Sequence, residues 1–194
     1  MEYEDGCPLG KIFAMPAVAV VGTRKITEYG KKVTSEIVTG LVGSGVVIVS
    51  GLMYGLDEVA HRAALATGGL TIGVWAGGID TLRGTSREFL AEKILGGGGV
   101  IISEIPWGII PKAEYFPPRN RIISGLSLAT VVVEAGVDSG SLITAGYAAD
   151  QGREVFAVPG PVTSPQSLGT AKLIQKGAML VTSAQDILET LGII

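Results

Sequence analysis

The sequence is short of the residues that carry most enzyme chemistry. It holds one cysteine, Cys7, and one histidine, His61, in 194 residues. A lone cysteine permits no internal disulfide, which fits a reducing cytoplasm. One histidine and one cysteine make neither a metal-ligand set nor a nucleophile–His–acid set. Neither sign of charge dominates. The formal net charge is −3, so the total gives no support to nucleic-acid binding. A local basic site depends on charge placement rather than the sum and stays open. No apolar run reaches membrane-spanning length, and the acidic start Met1-Glu2-Tyr3-Glu4-Asp5 is unlike a signal peptide. No GxGxxG follows the first predicted strand and no GxxxxGK[ST] occurs anywhere, which weakens an ordinary NAD or ATP reading. No cofactor and no metal are therefore expected. Repeats are absent, and the one low-complexity stretch is the run Gly96 to Gly99.

Apolar residues make up 47% of the chain, enough for a sizeable core, and 29 glycines without a triplet period point to tight turns and close backbone approach. Ala17-Val18-Ala19-Val20-Val21 reads as a strand buried on both faces, stopped by Gly22-Thr23-Arg24. A helix expected from Glu28 would turn its free N–H groups toward that turn. Further strands are expected at 46–49, 70–75, 100–103, 129–134, 155–158 and 178–181. Helices are expected near 28–42, 56–67, 86–95, 119–126, 142–151, 170–176 and 184–191. A long Pro-spotted loop separates Ile105 from Pro118. The alternation predicts an α/β fold: an extended Rossmann-like, largely parallel sheet with helices on both faces. Residues 1–16 read as an N-terminal arm and 17–194 as one domain.

Small residues recur where the strands end: Gly22-Thr23-Arg24, Ser50-Gly51, Gly77-Gly78, Glu134-Ala135-Gly136 and Pro159-Gly160. One such glycine only makes a turn. The set, with Arg24 in it, suits an anion pocket at the carboxyl edge of the sheet. Lys112, Tyr115, Phe116, Arg119, Asn120 and Arg121 interleave rings with positive charge, as single-strand nucleic-acid sites do. A solvated basic loop anchored by Phe116 would look the same. On a helix over 119–126, Arg119 shares a face with Ile122 and Ile123 and should point inward, toward Glu104 or Glu134. Arg121 should point outward and track a strand leaving the pocket. Asp57 and His61 stand one turn apart, and are read as a capping carboxylate and a polar helix residue rather than metal ligands. Glu134, at a strand end, keeps acid–base chemistry open.

Taken together, these motifs resemble the DNA-processing protein A (DprA/Smf) family. The resemblance rests on Val21-Gly22-Thr23-Arg24 with Tyr29-Gly30, Ser50-Gly51-Leu52, Gly55-Leu56-Asp57 and Ala60-His61. It continues through Ser103-Glu104-Ile105-Pro106, Phe116-Pro117-Pro118-Arg119-Asn120-Arg121-Ile122-Ile123, Val131-Val132-Val133-Glu134-Ala135, Ser139-Gly140-Ser141-Leu142-Ile143-Thr144-Ala145 and Gly152–Gly160, so it spans roughly residues 16–192.

The resemblance implies a Rossmann-like domain that binds single-stranded DNA, loads a RecA-type recombinase during natural transformation, and forms a homodimer. It implies a DNA site drawn from Gly22, Thr23, Arg24, Ser50, Gly51, Lys112, Phe116, Arg119, Asn120, Arg121, Ser139, Gly140 and Ser141. Three positions depart from the family pattern: Tyr54 stands where many members have Arg, Leu82-Arg83-Gly84 replaces a Tyr-Pro pair, and Ala171 replaces an Asn. The helical domains of longer members are not in these 194 residues, as expected of a minimal or diverged member or an excised core. The competing class is a nucleotide-like small-molecule protein of the lysine-decarboxylase-like (LOG) group. That group's Pro-Gly-Gly-x-Gly-Thr-x-x-Glu gives way here to Glu134-Ala135-Gly136-Val137-Asp138-Ser139-Gly140.

Overall fold

The computed structural model describes residues 8–193. Seven parallel strands form one sheet: β1 (Ala17–Val21), β2 (Val47–Gly51), β3 (Thr71–Val74), β4 (Val100–Ile102), β5 (Ala129–Val132), β6 (Glu154–Ala157) and β7 (Met179–Leu180), in the spatial order β4-β3-β2-β1-β5-β6-β7. The chain steps outward from β1 to β4, then returns to the other side of β1 and steps outward again. Right-handed crossovers put the helices of the two runs on opposite faces. Alternation along β1 shows both faces in use. Val18 and Val20 pack with Ile37 and Leu41 of α2 (Glu28–Gly43), Ala60 of α3 (Leu56–Ala66) and Ile187 of α8 (Ala184–Leu191). Ala19 and Val21 pack with Ile123 of α5 (Phe116–Gly125) and Ala145 of α6 (Ser141–Asp150), with Leu173 of α7 (Leu168–Gln175) alongside. A smaller cluster joins Ile101 to Leu90 and Ile94 of α4 (Glu88–Gly96). The fold is thus the α/β, Rossmann-like one that the strand–helix alternation predicts.

Two local expectations are corrected and one is filled in. The loop from Ile105 is shorter than expected: a 3-10 turn occupies Ala113–Tyr115, and α5 starts at Phe116 because Pro117 and Pro118 sit in its first turn, where a missing N–H is harmless. The arm expected over residues 1–16 gains a helix. Pro8–Ala14 form a helix, α1, whose Ile12 is buried in the second cluster, while residues 1–7 lie outside the described residues. The start of α2 is not free. Thr27 is its N-cap and accepts from the Gly30 N–H at 3.1 Å. The Glu134 carboxylate then accepts from the Thr27 N–H (2.9 Å) and hydroxyl (2.6 Å). A capping box normally draws that carboxylate from the third helical residue. Here the third residue is Gly30, and the carboxylate arrives from β5, 107 positions away. A Cβ at position 30 would stand 2.1 Å from Glu134 Oε2, so the glycine is a spatial requirement. Among the described residues no helix is long and apolar enough to cross a membrane.

Gly30→Ala tests this packing. In an ordinary helix interior the change stabilises by about 1 kcal/mol. Here it should destabilise by about 1–3 kcal/mol, because the buried carboxylate must leave its donors. In a Glu134→Ala background the same change should turn neutral or stabilising. Urea unfolding of the four proteins gives the coupling.

Candidate nucleic-acid site

The strand order reverses between β1 and β5, and a crevice opens there at the carboxyl ends. It is a cavity of about 750 Å³, sized for a nucleotide rather than an ion. Five pieces of chain line it: the turn after β1, the segment after β2 with the start of α3, the turn after β5 with the start of α6, the first turns of α5, and the approach to α7.

The turn after β1 is fixed from both sides. The Thr23 N–H donates to the Glu134 carbonyl (2.8 Å), and the Leu56 N–H donates to the Thr23 carbonyl (3.2 Å). The Thr23 hydroxyl accepts from the Lys25 N–H at 3.1 Å. Gly55, at φ +79°, caps α3 without a side chain; a Cβ there would meet the carbonyl oxygens of Thr23 and Arg24, each at 2.6 Å. Arg24 therefore leaves a rigid turn with its guanidinium exposed at the cavity.

Helix α5 supplies the facing wall. Phe116, Arg119, Asn120 and Ile123 follow the i, i+3, i+4, i+7 spacing and all line the cavity. The Phe116 ring centroid lies 5.9 Å from the Arg24 guanidinium carbon and 5.8 Å from that of Arg119, so one ring is flanked by two cations. Arg119 is 4% exposed and donates Nη1 to the Val74 carbonyl, while its buried Nε has no partner. Burial brings its pKa down to about 10, with Asp57 opposing, so it stays charged at neutral pH. Asn120 donates to the Gly140 carbonyl (3.2 Å) and ties α5 to the turn after β5. In that turn the Ser139 and Ser141 hydroxyls are bonded at 2.8 Å. Helices α3, α5, α6 and α7 begin at this rim without side-chain caps, unlike α2.

Nine of the thirteen expected residues line the cavity: Gly22, Thr23, Arg24, Phe116, Arg119, Asn120, Ser139, Gly140 and Ser141. Four do not. The Ser50 hydroxyl is buried and donates to the Val20 carbonyl at 2.7 Å. The Gly51 α-carbon is covered by the Asp57 carboxylate and Arg119 guanidinium, and its carbonyl accepts from His61. Lys112 lies outside, its ammonium 5.9 Å from the Tyr115 ring. Arg121 points outward as expected, but its guanidinium pairs with Glu104 rather than lying on the cavity. Arg119 points inward as expected, toward Val74 and Asp57 rather than Glu104 or Glu134. Glu134 is spent on Thr27 and does not line the cavity either.

Asp57 is the residue that helix reasoning misplaced. It does not cap α3. It is buried on the cavity floor, and desolvation raises its pKa to about 6 against the pull of Arg119. The available signal was its place one residue after Leu56, on the turn that faces Gly51. His61, one turn on, is fully buried, with Nε2 2.9 Å from the Gly51 carbonyl and Nδ1 2.7 Å from the Thr71 hydroxyl. Burial lowers its pKa to about 4, so the ring is neutral. A carbonyl can only accept, so Nε2 carries the proton, and the single Thr71 hydroxyl proton faces both Nδ1 and the Ile48 carbonyl, each at 2.7 Å. His61 braces the end of β2 and does not line the cavity. Of the family departures, Tyr54, Arg83 and Ala171 all lie off the cavity, and Tyr54 packs under Arg87, 3.7 Å from the ring centroid. Among the described residues no group of three or more His, Cys, Asp or Glu is placed to hold a metal.

The chain is 48% identical over 174 residues to protein Smf of Escherichia coli, covering 90% of this chain and 46% of that protein. It is 45% identical to DNA processing protein DprA of Bacillus subtilis, covering 90% and 58%. The chain spans about half the length of such relatives. Among solved structures, DprA of Streptococcus pneumoniae superposes with a TM-score of 0.85 at 43% identity, over 92% of this chain and 62% of that one. DNA processing protein A of Helicobacter pylori, described for its single-stranded DNA binding mode, superposes with a TM-score of 0.83 at 31% identity, over 93% and 82%. Molybdenum cofactor carrier proteins share the fold alone, at 16–19% identity. The profile of DNA recombination-mediator protein A matches residues 9–192, and the chain belongs to that family.

Proposed function

We propose that the cavity between β1 and β5 binds single-stranded DNA, and that this is the domain's part in DNA processing. The observation that carries the reading is Phe116 standing between the guanidiniums of Arg24 and Arg119. A ring offers any base a stacking face, and cations beside it meet the backbone phosphates. Arg119 brings a buried, unpaired Nε to the same place. The H. pylori relative, described for binding single strands, supports the choice of ligand. We propose further that the site is not catalytic and needs no cofactor, and that the whole protein acts in the cytoplasm as a homodimer supporting RecA-type recombinase loading in DNA uptake. The LOG-type alternative is not favoured, since it wants a free carboxylate after β5 and Glu134 gives its oxygens to Thr27. Release of base from AMP in proportion to protein, abolished by Glu134→Gln, would restore it.

Arg24 and Arg121 separate the site from its surroundings. Arg24→Lys should weaken binding to a labelled oligonucleotide by about 1–3 kcal/mol, as loss of a charged, forked hydrogen-bond donor does. Arg121→Lys should cost well under about 1 kcal/mol, because its exposed pair with Glu104 tolerates a point charge. Single strands should outcompete a blunt duplex of equal length. A duplex preference, or a larger loss from Arg121→Lys, overturns the assignment.

Asp57 sets a pH dependence. The folded protein holds this proton more tightly than the unfolded chain, whose carboxyl titrates near 3.9. Stability therefore falls as pH rises from about 4 to about 6, by about 3 kcal/mol for a displacement of about two units. Asp57→Asn should match the parent protein's stability near pH 4 and exceed it at pH 8, measured by urea unfolding. Oligonucleotide binding should tighten in the parent protein as pH drops through about 6 and lose that step in Asp57→Asn.

A further inference from the structure

Arg24 and Lys25 border a second depression. It is an open groove of about 460 Å³ between the starts of α2 and α3, lined also by Lys31, Gly55, Glu58 and Arg62. The two hollows share the ridge formed by Arg24 and Lys25. Four of the chain's 15 Lys and Arg residues gather on the groove, in a protein of net charge −3. One carboxylate lines the groove with them, and it is already committed: Glu58 accepts from Arg62 (2.8 Å) with one oxygen and from Arg87 (2.8 Å) with the other. Those hydrogen bonds outweigh burial and hold the Glu58 pKa below its usual value. Lys31 pairs with Glu28 at 2.6 Å, an exposed contact three residues apart that a phosphate can displace at little cost. Among the described residues Arg24 and Lys25 make no ion pair.

We propose that a single strand seated in the main cavity leaves it over Arg24, with its next phosphates running along this groove past Lys25, Lys31 and Arg62. The proposal rests on the reading of the main cavity as a single-strand site and names the exit it left open. The exit expected from the sequence, past Arg121, does not fit, because Arg121 lines neither the cavity nor the groove that adjoins it. The backbone geometry supports the groove. The Thr23 and Arg24 carbonyls rest against Gly55, so the ridge between the hollows is held by α3 itself. A phosphate crossing from one hollow to the other would pass the one guanidinium that serves both. No sequence readout is implied, since the contacts are to the backbone.

The test uses the full chain and labelled oligothymidylates of about four and about sixteen nucleotides, the two ends of common single-strand site sizes. The variant is Lys31→Gln/Arg62→Gln, which touches the groove and leaves the main cavity's lining intact; Glu58 keeps Arg87. The control is Lys172→Gln/Lys176→Gln on exposed positions at the end of α7, with the same change in net charge. The groove variant should bind the longer strand about tenfold more weakly and lower its salt slope by about 1.4, at about 0.7 per phosphate. The short strand should bind it unchanged, and the control should bind both lengths as the parent does. An unchanged longer strand, an equal loss for both lengths, or an equal loss in the control overturns the proposal while leaving the main-cavity reading in place. If the parent chain binds neither length, the main-cavity reading fails and this one with it. Should the double variant melt early, Lys31→Glu alone must show the length-dependent loss, and its failure to do so is equally decisive.

Discussion

Everything at the carboxyl edge of the sheet depends on one buried carboxylate. Glu134 leaves β5 and closes the N-terminus of α2, while its carbonyl receives the Thr23 N–H. One residue therefore fastens the end of β5, the turn after β1 and the start of α2 to each other. An isolated buried charge would be costly. Here two donors and the positive end of a helix offset the desolvation. Gly30 exists to admit it, and Gly22 lets its carbonyl approach, since a Cβ at position 22 would stand 2.7 Å from the Glu134 oxygen. The two glycines and the glutamate form one packing unit spread over more than a hundred positions.

That unit explains why most of the fold was legible in the sequence and part of the site was not. Strands that are apolar on both faces and helices with clear stripes identify themselves locally, so the seven strands and their parallel order of alternation could be read. The cavity's walls were legible where the signal is also local: Gly22-Thr23-Arg24 at a strand end, and Phe116, Arg119 and Asn120 on one helical stripe. What failed was long-range. Nothing near Thr27 says that its cap comes from position 134, so α2 looked open when it is closed. Nothing near Ser50 or Gly51 says that Val20, Asp57 and His61 take up their groups. Lys112 and Arg121 carry the right chemistry in the right segment, but a stripe of four residues on α5 leaves them off the facing side.

Asp57 marks the limit of composition-based reasoning about charge. A carboxylate on the floor of a proposed anion site is a contradiction if sites are read as sums of charge. Physically it is a counterweight. Arg119 is nearly dry, and a dry guanidinium without a facing acid would lie much further from its ordinary pKa. Asp57 opposes that fall, and its own burial, against the pull of Arg119, brings its carboxyl to about 6. The pair do not form a direct salt bridge among the described contacts; they act across Gly51, which has no side chain to keep them apart.

The balance has a consequence for how such a site holds a polymer. Arg24, Lys25 and Arg119 face Asp57 and Asp138 around the cavity, so the net excess there is one positive charge. A pocket so nearly neutral gains little from attraction at a distance, so the single-strand binding proposed above would rely on contact: a base on Phe116 and a phosphate forked by Arg24. Contacts of that kind are indifferent to sequence, because every base has a face and every link has a phosphate. They are also separable, since stacking and ion contact break one at a time as a strand slides. A rigid rim, a single ring between two cations and a tempered floor are what the proposed single-strand site would use to grip any strand without locking onto one.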